Sequence, residues 1–346
     1  MRAISAADAV SPAIQRTREF LFRPFNWGTY LKLGLVAIIT EGFGGNLRSS
    51  THGGESQGHG PMVHSPFNLA PEWIAVMVGA VLVAIVVCIV VFYLVTRLRF
   101  AFFHCLIHKT KEIGPGWRLY QAQATRFFWL NLVVGFCFLL AVVLIALPFA
   151  AGFWRLVHDT PPGGSPDWGM LLSLVLPLIP ILLLLVLTGF VIDLALRDWM
   201  LPHFALENAT AGEAWTRVWA QIKAEKRQFI VYTLLRVALP TIAMIAMFIV
   251  LIIPGLMLAG ALAAIVYGIH SAFAGSTGAA WMVGILLQGF FGVVAFGIAV
   301  LVSICLGGPV STGIREYALM FYGGRYQALG DILYPPPPRL DEPQIV

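Results

Sequence analysis

Long apolar runs separated by short segments that carry most of the charge set the pattern of this chain. Runs at about Trp73–Thr96, Phe127–Pro148, Trp168–Ile192, Phe229–Ile253 and Trp281–Leu306 each reach the roughly 20 residues a helix needs to cross about 30 Å of hydrocarbon. A shorter run, Trp27–Gly42, has Lys32 near one end and Glu41 near the other and makes a marginal sixth. Trp27, Trp73, Trp129, Trp154, Trp168, Trp199 and Trp281 stand at the predicted span ends, where an indole keeps its ring in lipid and its N–H among headgroups. The pattern predicts an all-α polytopic membrane protein of about six transmembrane helices, held in a domain over 27–322. An amphipathic cytoplasmic segment, 1–26, precedes it. A Gly-rich disordered outer loop, 44–70, interrupts it, and a proline-rich cytoplasmic tail, 323–346, follows. The stretch Gly255–His270, set off by Pro254, is expected as an outer-face helix or re-entrant piece, because 16 Gly- and Ala-rich residues are short for a further crossing.

Two polar connections resemble each other at a period near 98 residues, FHCLIHKTKEIGPGWRLYQAQATRFFWL and PHFALENATAGEAWTRVWAQIKAEKRQFIV. His104 falls on His203, Gly114 and Trp117 fall on Gly212 and Trp215, and Arg126 and Arg227 each precede the next span. A weaker copy opens the chain around Ile14, Arg18 and Leu21. The repeat unit reads as an interfacial amphipathic helix followed by a helical hairpin. In the second connection Thr210 and Glu213 make a T-x-x-E capping box. Trp215, Val218, Trp219 and Ile222 then recur at helical spacing, with Arg217, Gln221 and Lys223 opposite them. Such a helix belongs at the headgroup boundary, with its indoles buried and its cations near anionic lipid. Packing against the end of the bundle is the alternative for the same pattern.

Composition sharpens the class. Of 346 residues only 11% are charged and 59% are hydrophobic, and the mean hydropathy is +0.83, against about 25% charged in soluble domains. A soluble enzyme is excluded. A net charge of +5 does not point to nucleic acid, because the basic residues read as loop residues that report orientation. Twenty of the 22 Lys and Arg fall on one side of the predicted spans, leaving only Arg48 and Arg155 on the other. Both termini are therefore expected in the cytoplasm. Cys88, Cys105, Cys137 and Cys305 lie in or at the inner ends of apolar runs and imply no disulfide framework. The first apolar run follows an amphipathic segment rather than a short basic start, so it is expected to remain in the mature protein.

The segment RDWMLPHFALENATAGEAW resembles the D-F-x-x-P pattern followed by an E-A-W turn in uncharacterised bacterial membrane proteins. These are distantly like the membrane domain of some glycerophosphodiester phosphodiesterases. The opening FLFRPFNWGTYLKLG and the stretch GPVSTGIREYALMFYGG are similar to the same family, with Trp199 standing where its pattern has Phe. The resemblance implies a six-helix fold in a bacterial inner membrane and no assigned activity. No phosphodiesterase domain accompanies it.

Candidate chemistry is sparse. Asp193 closes the fourth span and Arg236 lies about 10 Å into the fifth, so the two are candidates for an intramembrane ion pair. Arg197, at i+4, is a local alternative for Asp193, and Arg236 can also snorkel. His104 and His108 share a helical face and, with Cys105, are weak metal candidates; two interface histidines are the plainer reading. His52, His59 and His64 sit in the flexible outer loop. Pro177, Pro180 and Pro240 read as kinks. Ala295, Ala299, Ser303 and Gly307 make a small-residue face for close helix approach. The tail YPPPPRLDEPQIV is an extended polyproline segment. No catalytic motif is visible, and no cofactor or metal is expected. The sequence thus reads as a non-catalytic membrane scaffold or partner protein whose partners are the bilayer, its anionic headgroups and an unspecified protein. A carrier or channel for a small solute or lipid is the alternative.

Overall fold

The computed structural model describes residues 4–45, 71–159, 168–275 and 278–334, and among these there is no strand. Its helices are α1 (Val10–Phe22), α2 (Trp27–Gly45), α3 (Pro71–His108), α4 (Ile113–Leu119), α5 (Gln121–Asp159) and α6 (Trp168–Leu194), then α7 (Leu201–Leu206), α8 (Ala211–Ala224), α9 (Lys226–Phe273), α10 (Ala279–Gly323) and α11 (Gln327–Leu333). A π-helical turn, Ala195–Met200, joins α6 to α7. The order of one short helix and then two longer ones occurs three times, as α1–α2–α3, α4–α5–α6 and α8–α9–α10. Five described helices are long and apolar enough to cross a membrane: Val76–His108, Gln121–Trp154, Leu171–Leu206, Lys226–Phe273 and Ala280–Gly323. The marginal run at α2 is not among them.

The chain divides into two compact units. The first holds residues 1–50, 104–112 and 225–346, the second residues 51–103 and 113–224. In the first unit α1, α2, α9 and α11 all pack on α10. α1 buries Ala13, Arg16, Thr17, Phe20 and Leu21, the i, i+3, i+4, i+7, i+8 stripe of an amphipathic helix. α2 crosses α10 through glycines, since a Cβ on Gly308 would lie 2.6 Å from the Gly34 Cα. Beside that crossing Pro309 lacks the N–H that would bond the carbonyl of Cys305, and the Tyr30 hydroxyl donates to that carbonyl instead at 2.5 Å. Toward the start of α9 the Tyr232 ring stacks on both Tyr317 and Phe321, at centroid distances of 5.2 and 4.3 Å.

In the second unit Phe127 is the aromatic centre, meeting Phe100 and Phe204 edge-on at 5.5 and 5.3 Å. Arg97 lies 4.4 Å from the Trp117 ring centroid and donates to the Trp117 carbonyl, tying α3 to α4. Gly189 of α6 lets the Phe138 ring of α5 approach, where a Cβ would stand 2.9 Å from it.

Three sequence expectations change. The stretch 255–270 is no separate segment, because α9 runs unbroken through Pro240 and Pro254 for 48 residues, about 72 Å. Proline removes one backbone bond and bends a helix without ending it, and the runs on both sides of Pro240 and Pro254 stay apolar. Residues 327–333 are not tail: α11 docks on α10 through Leu329 and Leu333, an i,i+4 apolar pair, and the Tyr334 hydroxyl meets the Met320 sulfur at 3.0 Å. The third concerns charge: Arg16, Arg99, Arg197 and Arg315 are buried rather than exposed beside the apolar runs. The loop histidines and the polyproline run lie outside the described residues.

The glycine crossing gives a direct test. Gly308→Ala is expected to lower thermal stability in detergent by about 1–3 kcal/mol, because the methyl meets backbone rather than a movable side chain. Gly260→Ala, where nothing lies within 4 Å of the added carbon, should hold or slightly raise the melting temperature, because Ala is the better helix former. Equal shifts for the two variants would refute the close approach of α2 and α10.

Candidate functional site

Each unit gathers buried charge where its long helices begin or end, and the repeat puts it there. α6 runs into Arg197-Asp198-Trp199 and α10 into Arg315-Glu316-Tyr317, and all six side chains are buried. This Arg-acid-aromatic recurrence is visible in the sequence, but a count of charges by side of the membrane treats such residues as loop charges.

In the first unit Glu316 is fully buried and its carboxylate lies 3.0 Å from Arg16 Nε. Arg16 Nη2 also donates to the carbonyls of Leu106 and Ile107, at 2.7 and 3.3 Å. Those carbonyls belong to the last turn of α3, which has no N–H partners of its own for them and carries the negative end of the helix dipole. α3 stops there because Lys109 takes the left-handed conformation, φ 53°, while the Thr110 N–H returns to the carbonyl of Cys105. Asn208, φ 53°, ends α7 in the same manner, with the Ala209 N–H returning to His203. The two connections aligned by the sequence repeat therefore share their stop signal. Lys109 pairs with Glu19 at 3.5 Å, and Lys111 donates to the Pro24 carbonyl at 2.7 Å. At the far end of the chain Arg325 holds Glu225 at 2.7 Å and donates to the Ile4 carbonyl.

Arg236 and Glu41 form a salt bridge at 2.6 Å between α9 and α2, with both side chains close to nine-tenths buried. Asp193 pairs with Arg197 at 2.7 Å across one helical turn. Asp193 and Arg236, candidates for one another in the sequence, belong to different units, and each has an ion partner within its own. Glu41 was visible as an acidic residue in an apolar run, but nothing local connects it with a residue 195 positions away.

On α8 the capping box forms as the sequence predicts. The Thr210 N–H donates to Glu213 Oε2 at 3.0 Å and the Glu213 N–H to Thr210 Oγ1 at 3.4 Å. The Thr210 N–H, with the Thr210 hydroxyl beside it, holds the Glu213 carboxyl below its ordinary range. The helix face expected as one surface divides into two. Val218, with Ala214, is buried against the unit, and Ile222 is half-buried. Trp215 and Trp219 stay 46% and 45% exposed and stack on each other at 5.8 Å, with Lys223 Nζ 5.5 Å from the Trp219 ring centroid. α8 thus satisfies both sequence readings, packing by one edge and presenting two indoles by the other. Arg217 pairs with Glu207, which also lies 3.7 Å from His203 Nδ1.

His104 and His108 lie ring to ring, with centroids 4.5 Å apart. Among the described residues no three His, Cys, Asp or Glu side chains assemble a metal-holding group. The four cysteines are free thiols. Chemically, the described ion pairs are clamps: each carboxylate is matched to a guanidinium or ammonium, and Arg16–Glu316 and Arg236–Glu41 join helices far apart in sequence.

The α2–α9 bridge can be tested by a mutant cycle. Arg236→Leu should destabilise the protein in detergent by about 3 kcal/mol, because it leaves Glu41 buried without its cation. Adding Glu41→Leu should restore most of the lost melting temperature. A double variant no more stable than Arg236→Leu alone would show that the two side chains are not coupled.

No curated protein and no solved structure matches the chain. A family model does match, over residues 4–332, which reaches from α1 into α11. The chain belongs to that family, a family of unknown function (DUF7544).

Proposed function

We propose that this protein is a non-catalytic scaffold of a bacterial inner membrane. In this reading it crosses the bilayer six times, with both termini in the cytoplasm, and offers a basic, amphipathic base to anionic headgroups and to a protein partner. One observation carries the reading: the most apolar windows of the five long helices have almost no buried residue, 6% in α3 and none in the other four. Only a hydrocarbon solvent makes that surface stable. Trp27, Trp129, Trp154 and Trp281 are all more than half exposed at or near the ends of the apolar runs, as interfacial anchors are. The buried charges are engaged with other groups of the chain, which supports a scaffold over a catalyst. α2 joins the five long helices as a sixth crossing, and the asymmetry of Lys and Arg supplies the orientation.

A carrier is the second reading, and the Arg236–Glu41 bridge favours it. A buried ion pair inside an apolar length of helix is a polar site that a solute or proton can use.

Orientation is read by thiol labelling in a chain whose four native cysteines are replaced. A cysteine at Ala274, in the turn between α9 and α10, should react with a membrane-impermeant reagent in intact cells. One at Lys223, on α8, should react only after permeabilisation. The reverse pattern overturns the orientation, and labelling of both sites in intact cells overturns the hairpin as a transmembrane element.

A further inference from the structure

The first unit contains a cavity of about 340 Å³ between α1, α9 and α10, within the size range of ligand pockets. Its walls are apolar: Ile14 and Phe22 of α1, Leu239 and Ala243 of α9, Val310 and Ile314 of α10. One cation lines it, Arg18, at the middle of an exposed α1 stripe that reads Ile14, Arg18, Phe22 at four-residue steps. Ile14 and Phe22 are 62% and 43% exposed, on a helix whose opposite face is buried in the unit. Arg18 is exposed and has no ion-pair partner among the described residues, whereas its neighbour Glu19 is taken by Lys109.

The groove is a product of the repeat rather than an accident of one contact. The second unit has a cavity of about 320 Å³ between α5, α6 and α8. Counted back from the buried arginines Arg197 and Arg315, the wall positions coincide: Val191 with Pro309, Ile192 with Val310, Ala195 with Gly313, Leu196 with Ile314. In both, the outgoing helix contributes two residues four apart, Leu130 and Val134 or Leu239 and Ala243, and a short amphipathic helix closes the side. The first unit's groove differs in having Arg18 in its wall.

We propose that the α1–α9–α10 groove binds an anionic glycerophospholipid, with one acyl chain along Leu239, Ala243, Val310 and Ile314 and the phosphate on Arg18. The chemistry matches at each end. An apolar slot accepts an alkyl chain and excludes a polar ligand, and a guanidinium at its edge makes charge-assisted bonds to phosphate. The arginine stem lies along the apolar wall while its head reaches the headgroup layer. A neutral lipid fits the slot but lacks the net negative charge that Arg18 selects. This proposal rests on the membrane reading above, because only a membrane-embedded chain brings lipid to the groove.

The test uses the full-length protein in phosphatidylcholine nanodiscs doped with phosphatidylglycerol that carries a diazirine in one acyl chain, with adducts mapped by mass spectrometry. A diazirine phosphatidylcholine serves as the neutral probe. Phosphatidylglycerol adducts should concentrate on Ile14–Phe22, Leu239–Ala243 and Pro309–Ile314. Arg18→Gln should reduce them about fivefold, the worth of one interfacial cation, and leave the phosphatidylcholine adducts unchanged. Arg18→Lys should retain most of the preference, and Ala243→Trp, which fills the slot, should remove adducts of both lipids there. Matching elution profiles and melting temperatures exclude misfolding as the cause. Adducts spread evenly along Val76–Val90 and Met244–Tyr267 without enrichment at the groove would overturn the site and leave the membrane reading standing. Absence of adducts along those lengths as well would overturn both. An Arg18→Gln variant with undiminished phosphatidylglycerol adducts would show that the headgroup is not held by Arg18.

Discussion

Arg16 holds the first unit together through two demands that a single guanidinium meets. Glu316 is fully buried and needs a counter-charge, and the last turn of α3 needs donors for its open carbonyls. Meeting both fixes α1 beside α10 and beside residues 104–112 at the same time. The constraint behind this arrangement is general. Apolar helices in lipid gain no hydrophobic free energy by packing on one another, so association comes from van der Waals fit and polar bonds. The described contacts obey it: outward-facing apolar lengths, and tight packing concentrated where charges, aromatic rings and glycines meet.

The packing devices are few and are used repeatedly. Where a proline frees a carbonyl, another helix can supply the donor, as Tyr30 does for Cys305. Where backbones meet, glycine stands on both sides, as at Gly34 and Gly308. Where a helix must stop before the next copy of the repeat, a left-handed residue follows it, Lys109 in one copy and Asn208 in the next. These positions explain why a loose sequence repeat persists as a sharper structural one: stop signals and buried Arg-acid-aromatic triplets recur while the apolar residues between them vary freely. Exposed apolar positions on the long helices ask only for apolarity, so their identities carry little information about register.

The π-helical turn at Ala195–Met200 belongs to the same logic. One extra residue per turn re-aims the side chains that follow, and all six residues of the turn are buried. Arg197 lies in it and reaches back to Asp193, while Asp198 and Trp199 are held inside the second unit. Hydrophobic periodicity registers only an apolar run that ends near a charge, and a π turn leaves no distinct mark in it.

What the sequence determined by itself is what depends on neighbours along the chain. Apolar length, the starts of the long helices, the T-x-x-E box at Thr210 and Glu213 and the amphipathic stripe of α8 are set by bonds and contacts within a turn or two, so spacing reveals them. The tertiary structure decided the partner of each charge and the depth at which it lies. A count of Lys and Arg records sign and side, and it says nothing of the burial of Arg16, Arg197 and Arg315. Burial appears only once helices bring Glu316 to Arg16 across 300 positions and Glu41 to Arg236 across 195. The difference is physical: secondary structure is stabilised by local backbone bonds, whereas a buried ion pair exists only when distant segments share one low-dielectric pocket that excludes every other counter-charge.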